Sequence, residues 1–106
     1  MSSMKTINSE QVDVDVKEKT RLEEPPMFEV LLHNDDYTTM DFVISVLKTI
    51  FQKSEVQATE IMLNVHNKGV GVAGIYTRDI AETKVAIVHD WAHQEGHPLR
   101  CTIQKV

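Results

Sequence analysis

Residues 27–51 read MFEVLLHNDDYTTMDFVISVLKTIF, and within them the hydrophobic period changes from two to about 3.6. Phe28, Val30 and Leu32 alternate with other residues, the pattern of a half-buried strand. Asn34-Asp35-Asp36-Tyr37 then reads as a turn, because Asn and Asp side chains bond their own backbone two residues on. Thr38 with Asp41 approximates a capping box, with an acid shorter than the usual Glu or Gln. A helix is therefore expected from about Thr38 to about Phe51, with Val43, Val46, Leu47, Ile50 and Phe51 on one face.

Working downstream, Ser54 with Gln57 forms a second capping box. The helix it opens carries Ala58, Ile61, Met62 and Val65 at i, i+3, i+4 and i+7, and Gly69 ends it. Val70 to Tyr76 reads as a strand. A third helix begins near Thr77 or Asp79, turns Ala81, Val85, Val88 and Ala92 inward, and stops at Gly96 and Pro98. Leu99, Cys101 and Ile103 alternate in a last strand. The order is β-α-α-β-α-β. The fold class this implies is α+β: a two-layer sandwich of three helices on a three-stranded, mainly antiparallel sheet. Upstream, residues 1–24 are polar and charged with only isolated apolar residues. They lack the apolar density to offset chain entropy, so a flexible tail is expected there. Pro25-Pro26 opens the extended segment that begins the folded domain, residues 25–106.

A chain of 106 residues supports one domain. A domain of this size buries only ~60–65% of its unfolded surface, which leaves one modest core and little room for a deep catalytic cavity. Net charge is −5 and Lys/Arg never cluster, which argues against nucleic acid as the main partner. No apolar run approaches the ~18 residues of a membrane span, and the first twelve residues carry no apolar signal-like core. Cys101 is the single cysteine and has no internal disulfide partner. These features point to a cytoplasmic protein without a cofactor.

Several motifs invite chemistry and fail on context. Gly69, Gly71 and Gly74 match G-x-G-x-x-G, but the motif follows a helix and enters a strand, the reverse of a dinucleotide site. His89 and His93 are four apart on the third helix and could share a zinc ion. The Glu that makes H-E-x-x-H hydrolytic is missing, and a solvated helix end with histidines at its negative terminus is the plainer reading. Asn34-Asp35-Asp36 lacks the Gly and Glu that a calcium loop needs at its sixth and twelfth positions. No nucleophile elbow, C-x-x-C or P-loop is present, so no metal, cofactor or catalytic residue is assigned.

One combination carries more. The turn after the first strand holds two acids, and the second helix ends in His66. If both helices lie on one sheet face, that helix end returns close to the end of the first strand. The acids and the imidazole would then ring a pocket floored by Met40, Met62 and Val65. Carboxylates and a helix C-terminus favour a cation, and an apolar floor favours a large side chain. An ammonium beside an apolar side chain describes the amino-terminal residue of a polypeptide, a known object of recognition.

At these residues the sequence resembles the ClpS family. The resemblance covers essentially all of residues 25–106. It is most specific in PPMFEVLLHNDDYTTMDFV (residues 25–43), in MLNVH (Met62 to His66), and in AETKV (Ala81 to Val85) followed by HPLRCTIQK (His97 to Lys105). It implies a βααβαβ sandwich and a non-enzymatic adaptor of the bacterial N-end rule. Such an adaptor binds substrates with N-terminal Leu, Phe, Tyr or Trp and delivers them to ClpA, the unfoldase partner of the ClpP peptidase. By position, Asn34, Asp35, Asp36 and His66 would hold the free α-amino group and first peptide. Leu32, Thr38, Met40, Val43, Met62, Val65 and Leu99 would line the side-chain pocket, with Met40 as a gate at its rim. Asp79, Glu82 and Lys84 would face ClpA, Asp79 being a shorter acid than the family's Glu. The sequence departs from the family pattern in three places: His33 replaces an aliphatic residue beside the pocket, Thr39 replaces a proline, and Ala73 stands where a cysteine can occur. Two other readings compete: a small metal-dependent hydrolase using His89, His93 and an acid, and a ribosomal or structural interaction domain similar in topology to the C-terminal domain of the ribosomal stalk protein. Zinc content tests the first, and binding to peptides with a free N-terminal Phe tests the second.

Overall fold

The computed structural model describes residues 24–106; the tail expected over residues 1–24 otherwise lies outside the described residues. Strand β1 (Met27–His33) is followed by helices α1 (Met40–Thr49) and α2 (Glu55–Lys68), strand β2 (Val70–Thr77), helix α3 (Arg78–Gln94) and strand β3 (Arg100–Lys105). The sheet order is β2-β1-β3, with β1 antiparallel to both neighbours. The expected α+β sandwich is thus the observed one. The alternation in β1 decides which face is covered. Phe28, Val30 and Leu32 are buried and join side chains from all three helices in one core. The opposite face carries Glu29, Leu31 and His33 and stays open.

Strand β2 is irregular in a way that seats α2. Val30 pairs with Gly74 and Leu31 with Val72, so Ala73 is an extra residue in a bulge and turns inward, fully buried. Gly71 lies under α2: a Cβ there would come 2.8 Å from Val65 Cγ2 and 3.2 Å from the Ile61 carbonyl oxygen. Only glycine allows the helix to approach the strand this closely.

The helix limits follow from capping. Ser54 and Gln57 form the expected capping box, with bonds of 3.1 and 3.0 Å, and Gly69 closes α2 in the left-handed region at φ 89°. Helix α1 departs from expectation. Its cap is Thr39, whose hydroxyl accepts the Phe42 N–H at 3.1 Å, not Thr38. The Thr38 hydroxyl donates instead to Asp35 Oδ2 at 2.7 Å, which removes it from the capping position. The helix also ends at Thr49 rather than near Phe51; Gln52 at φ 52° reverses the chain while Ile50 and Phe51 remain in the core. Helix α3 starts after Thr77, the first of the two expected positions. It buries Ala81, Val88 and Ala92, with Val85 only partly covered.

Candidate functional site

The ends of three elements meet at one corner. His33 pairs with Val70, so the end of β1 lies against the residue that follows α2. The Asn34 N–H donates to the Gly69 carbonyl at 2.9 Å, which pins the turn after β1 to the C-terminus of α2. His66 lies one turn before that terminus, and Met40 opens α1 just beyond the turn. Between them is a cavity of about 250 Å³ lined by Asn34, Asp35, Asp36, Thr38, Met40, Val43, Met62, Val65 and His66. Nine of the eleven residues expected at the site thus share one space. Met62 and Val65 are buried and form its floor, whereas Met40 is 44% exposed and stands at the rim. A dry apolar cavity of about 150 Å³ already admits a benzene ring. This one has room for a large side chain and an attached ammonium, but not for a drug-sized ligand.

Asp35 is the most constrained polar group. Its Oδ1 accepts the N–H groups of Tyr37 at 2.8 Å and Thr38 at 2.6 Å, and its Oδ2 accepts the Thr38 hydroxyl at 2.7 Å. An ionised carboxylate offers about four acceptor sites, so roughly one remains for an outside donor. Burial alone would raise the Asp35 carboxyl; the three bonds from Thr38 and Tyr37, with the charge of His97, outweigh it and hold the group below the usual carboxylate range. The carboxylate is therefore both fixed and charged. His66 sits in the last turn of α2, where the helix dipole adds negative potential. The corner thus sets negative potential beside an apolar floor.

Other expected residues fall elsewhere. Leu32 and Leu99 do not reach the wall: they are 0% and 4% exposed and belong to the core behind it. His33, expected beside the pocket, points to the opposite sheet face because strand side chains alternate. Its Nε2 bonds the Thr102 hydroxyl at 2.7 Å. Desolvation, and then the charge of Arg100, lowers its pKa. Thr39 uses the place of a proline to cap α1. Asp79 and Glu82 are exposed in the first turn and a half of α3, with Glu82 held by Arg78 at 3.1 Å. Lys84 turns inward: its ammonium donates to the Ile50 carbonyl at 2.7 Å and lies 5.6 and 5.2 Å from the ring centres of Phe51 and Tyr76. His89 Nε2 accepts the Cys101 N–H at 3.0 Å, which occupies that nitrogen. Among the described residues no three His, Cys, Asp or Glu side chains gather at metal-binding distance, and no helix is long and apolar enough to cross a membrane. His97 was not expected at the site, yet its ring stacks on Phe42 at 4.3 Å while its charge acts on Asp35. Its place at the head of the stretch His97 to Lys105, before the helix-stopping Pro98, was the signal available.

Fold and site together define a class: small α+β domains with a single-residue-sized cavity at one corner of the sheet, lined for a cation and an apolar group. Comparison with known proteins narrows the class. The family model described as "ATP-dependent Clp protease adaptor protein ClpS" matches residues 23–102. The ATP-dependent Clp protease adapter protein ClpS of Oleidesulfovibrio alaskensis is 57% identical over 106 residues, all of both chains. That of Lawsonia intracellularis is 59% identical over 86 residues, 81% of this chain and 79% of the relative. Among solved structures, Agrobacterium tumefaciens ClpS2 bound to L-phenylalaninamide superposes with a TM-score of 0.75 at 38% identity, covering 78% of this chain and all of that one. The chain belongs to the ClpS family, adaptors of the ATP-dependent Clp protease.

Proposed function

We propose that the corner cavity captures the first residue of substrate proteins and that the protein hands these substrates to the ClpA unfoldase for degradation by ClpP. The residues captured are N-terminal Leu, Phe, Tyr and Trp. The observation that carries this reading is one cavity with two chemistries: a fixed, charged Asp35 beside Asn34, Asp36 and His66, and a buried floor of Met62 and Val65. A terminal residue is the part of a polypeptide that offers an ammonium and a large side chain from one carbon. The ClpS2 neighbour was solved with L-phenylalaninamide, a molecule with that pairing and an amide in place of the next peptide bond. Asn34 and Asp36 would hold that first peptide. Met40 at the rim would exclude side chains branched at Cβ, which carry bulk where a gate must close. Binding and positioning suffice for this role, and no residue is assigned a catalytic one. Asp79, Glu82 and Lys84 on α3 would face the unfoldase, with Lys84 acting from an inward-turned side chain. Residues 1–24 would serve delivery rather than capture, in the cytoplasm where these substrates arise. The test is a titration with a Phe-led peptide: binding that needs the free amine supports capture, and indifference to the amine refutes it.

A further inference from the structure

We infer that a second cavity, lined by Tyr37, His93, Gly96, His97 and Pro98, is a subsite for a large apolar or aromatic side chain from the second or third residue of the captured chain. The inference rests on the capture reading above and adds to it a preference beyond the first residue. Four observations support it.

The two cavities take consecutive residues of one turn. Asp36 and Thr38 line the first and Tyr37, between them, lines the second. Neighbouring Cα atoms are about 3.8 Å apart, and an extended chain advances about 3.3–3.6 Å per residue. A chain whose first side chain fills the floor at Met62 and Val65 leaves the cavity at its mouth. One or two residues later it can lie beyond the turn.

The lining suits a ring. The second cavity is larger, about 520 Å³, and its walls are a phenol, two imidazoles and a proline ring. Tyr37 is 78% exposed, an uncovered aromatic at the edge of a cavity. Gly96, at φ 78°, leaves open space where a side chain would stand. Aromatic side chains bind well to such surfaces because they bring large area with few torsions to fix.

The wall formed by Gly96 and His97 is already held in place. The His97 ring stacks on Phe42 at 4.3 Å, the His97 backbone N–H donates to the Ala92 carbonyl at 2.8 Å, and the Gly96 backbone N–H donates to the His93 carbonyl at 3.1 Å. Little conformational freedom is lost when a ligand arrives. Charge then decides between occupants. Two imidazoles would welcome an acidic side chain, but Asp35 and Asp36, which line the first cavity beside Tyr37, would repel it. His97 is near enough to Asp35 for its charge to be felt there. An uncharged ring satisfies both sides.

The test uses the full chain and fluorescent peptides that start with Phe and carry Gly or Trp at the second and third positions. Trp at the better of these positions should bind about fivefold tighter than Gly, the size of an aromatic contact. His93→Ala and Tyr37→Ala should each reduce that ratio to below about twofold. His93→Ala should leave the Phe-Gly-Gly peptide's affinity as it was. Equal binding of the Trp and Gly peptides, with Phe-Gly-Gly still bound through its free amine, overturns the subsite and leaves capture standing. A Trp preference that survives both variants places the ring elsewhere and also overturns it. Failure of Phe-Gly-Gly to bind removes capture and subsite together.

Discussion

Replacing Asp35 with Asn separates the charge of this residue from its shape. In the native protein the carboxylate accepts three internal hydrogen bonds, two at Oδ1 and one at Oδ2. The amide of Asn keeps an oxygen for the Tyr37 and Thr38 N–H groups, and its NH₂ can donate to the Thr38 hydroxyl, which then accepts rather than donates. The turn should survive at a cost of about 1 kcal/mol, since each remaining bond passes from charge-assisted to neutral. The ligand suffers more. Its ammonium loses an ionic acceptor, and the difference between charge-assisted and neutral bonds is about 1–2 kcal/mol, or about 5–30-fold in Kd. Asp35→Ala removes the acceptor altogether, and His66→Ala removes the other side of the ring; each should cost ~2–3 kcal/mol of binding. Fluorescence anisotropy with a Phe-led peptide reads the binding loss, and thermal unfolding of each variant reads the turn. Stability should also depend on pH. The folded-state pKa of Asp35 is depressed, so its carboxylate contributes in full above the ordinary value near 3.8 and loses its contribution as pH falls through the lower, folded value. The stability gap between wild type and Asp35→Asn should therefore hold from pH 7 to about 4 and close below it. Asp35→Asn binding within twofold of wild type would refute the ionic contact.

Met40→Ala should admit peptides led by Ile and Val; a variant that binds Leu normally and still rejects both would end the gate assignment. Lys84→Met keeps the stem but removes a charged donor from Ile50 and two cation–π contacts. It should lower stability by about 2 kcal/mol and Tm by on the order of 10 °C, and a Tm change under about 2 °C would show the brace is not structural. Burial pushes the Cys101 thiol up to about 12, so it should stay unmodified by a thiol reagent at neutral pH until the protein unfolds; rapid labelling of native protein would contradict this.

Much of the fold is legible because local signals and the hydrophobic period agree. Phe28, Val30 and Leu32 mark the covered face of β1, Ser54 and Gln57 mark the start of α2, and Gly69 marks its end. The start of α1 was not legible, because two adjacent threonines compete and Asp35, folded back in the turn, takes the first. Most of the cavity could be read once the end of α2 was assumed to return to the end of β1, an arrangement the Asn34–Gly69 bond now carries. Leu32 and Leu99, which the family resemblance put on the pocket wall, lie in the core behind it; periodicity separates inside from outside, but not which inside residues border a void. The direction of the Lys84 side chain was not legible for a related reason. A long side chain on an exposed helix can lay its stem inward, and only the position of Ile50 relative to α3 reveals that it does.

The central claim is that one cavity holds a charged α-amino group and its side chain together. It is tested most directly by titrating the full-length protein with a fluorescent Phe-led peptide and with the same peptide N-acetylated. Acetylation leaves the side chain intact but removes the charge and donors that Asp35 and its neighbours receive. The free peptide should bind, and acetylation should weaken it by about 30–150-fold, the equivalent of ~2–3 kcal/mol. Equal affinity for the two peptides would contradict the claim.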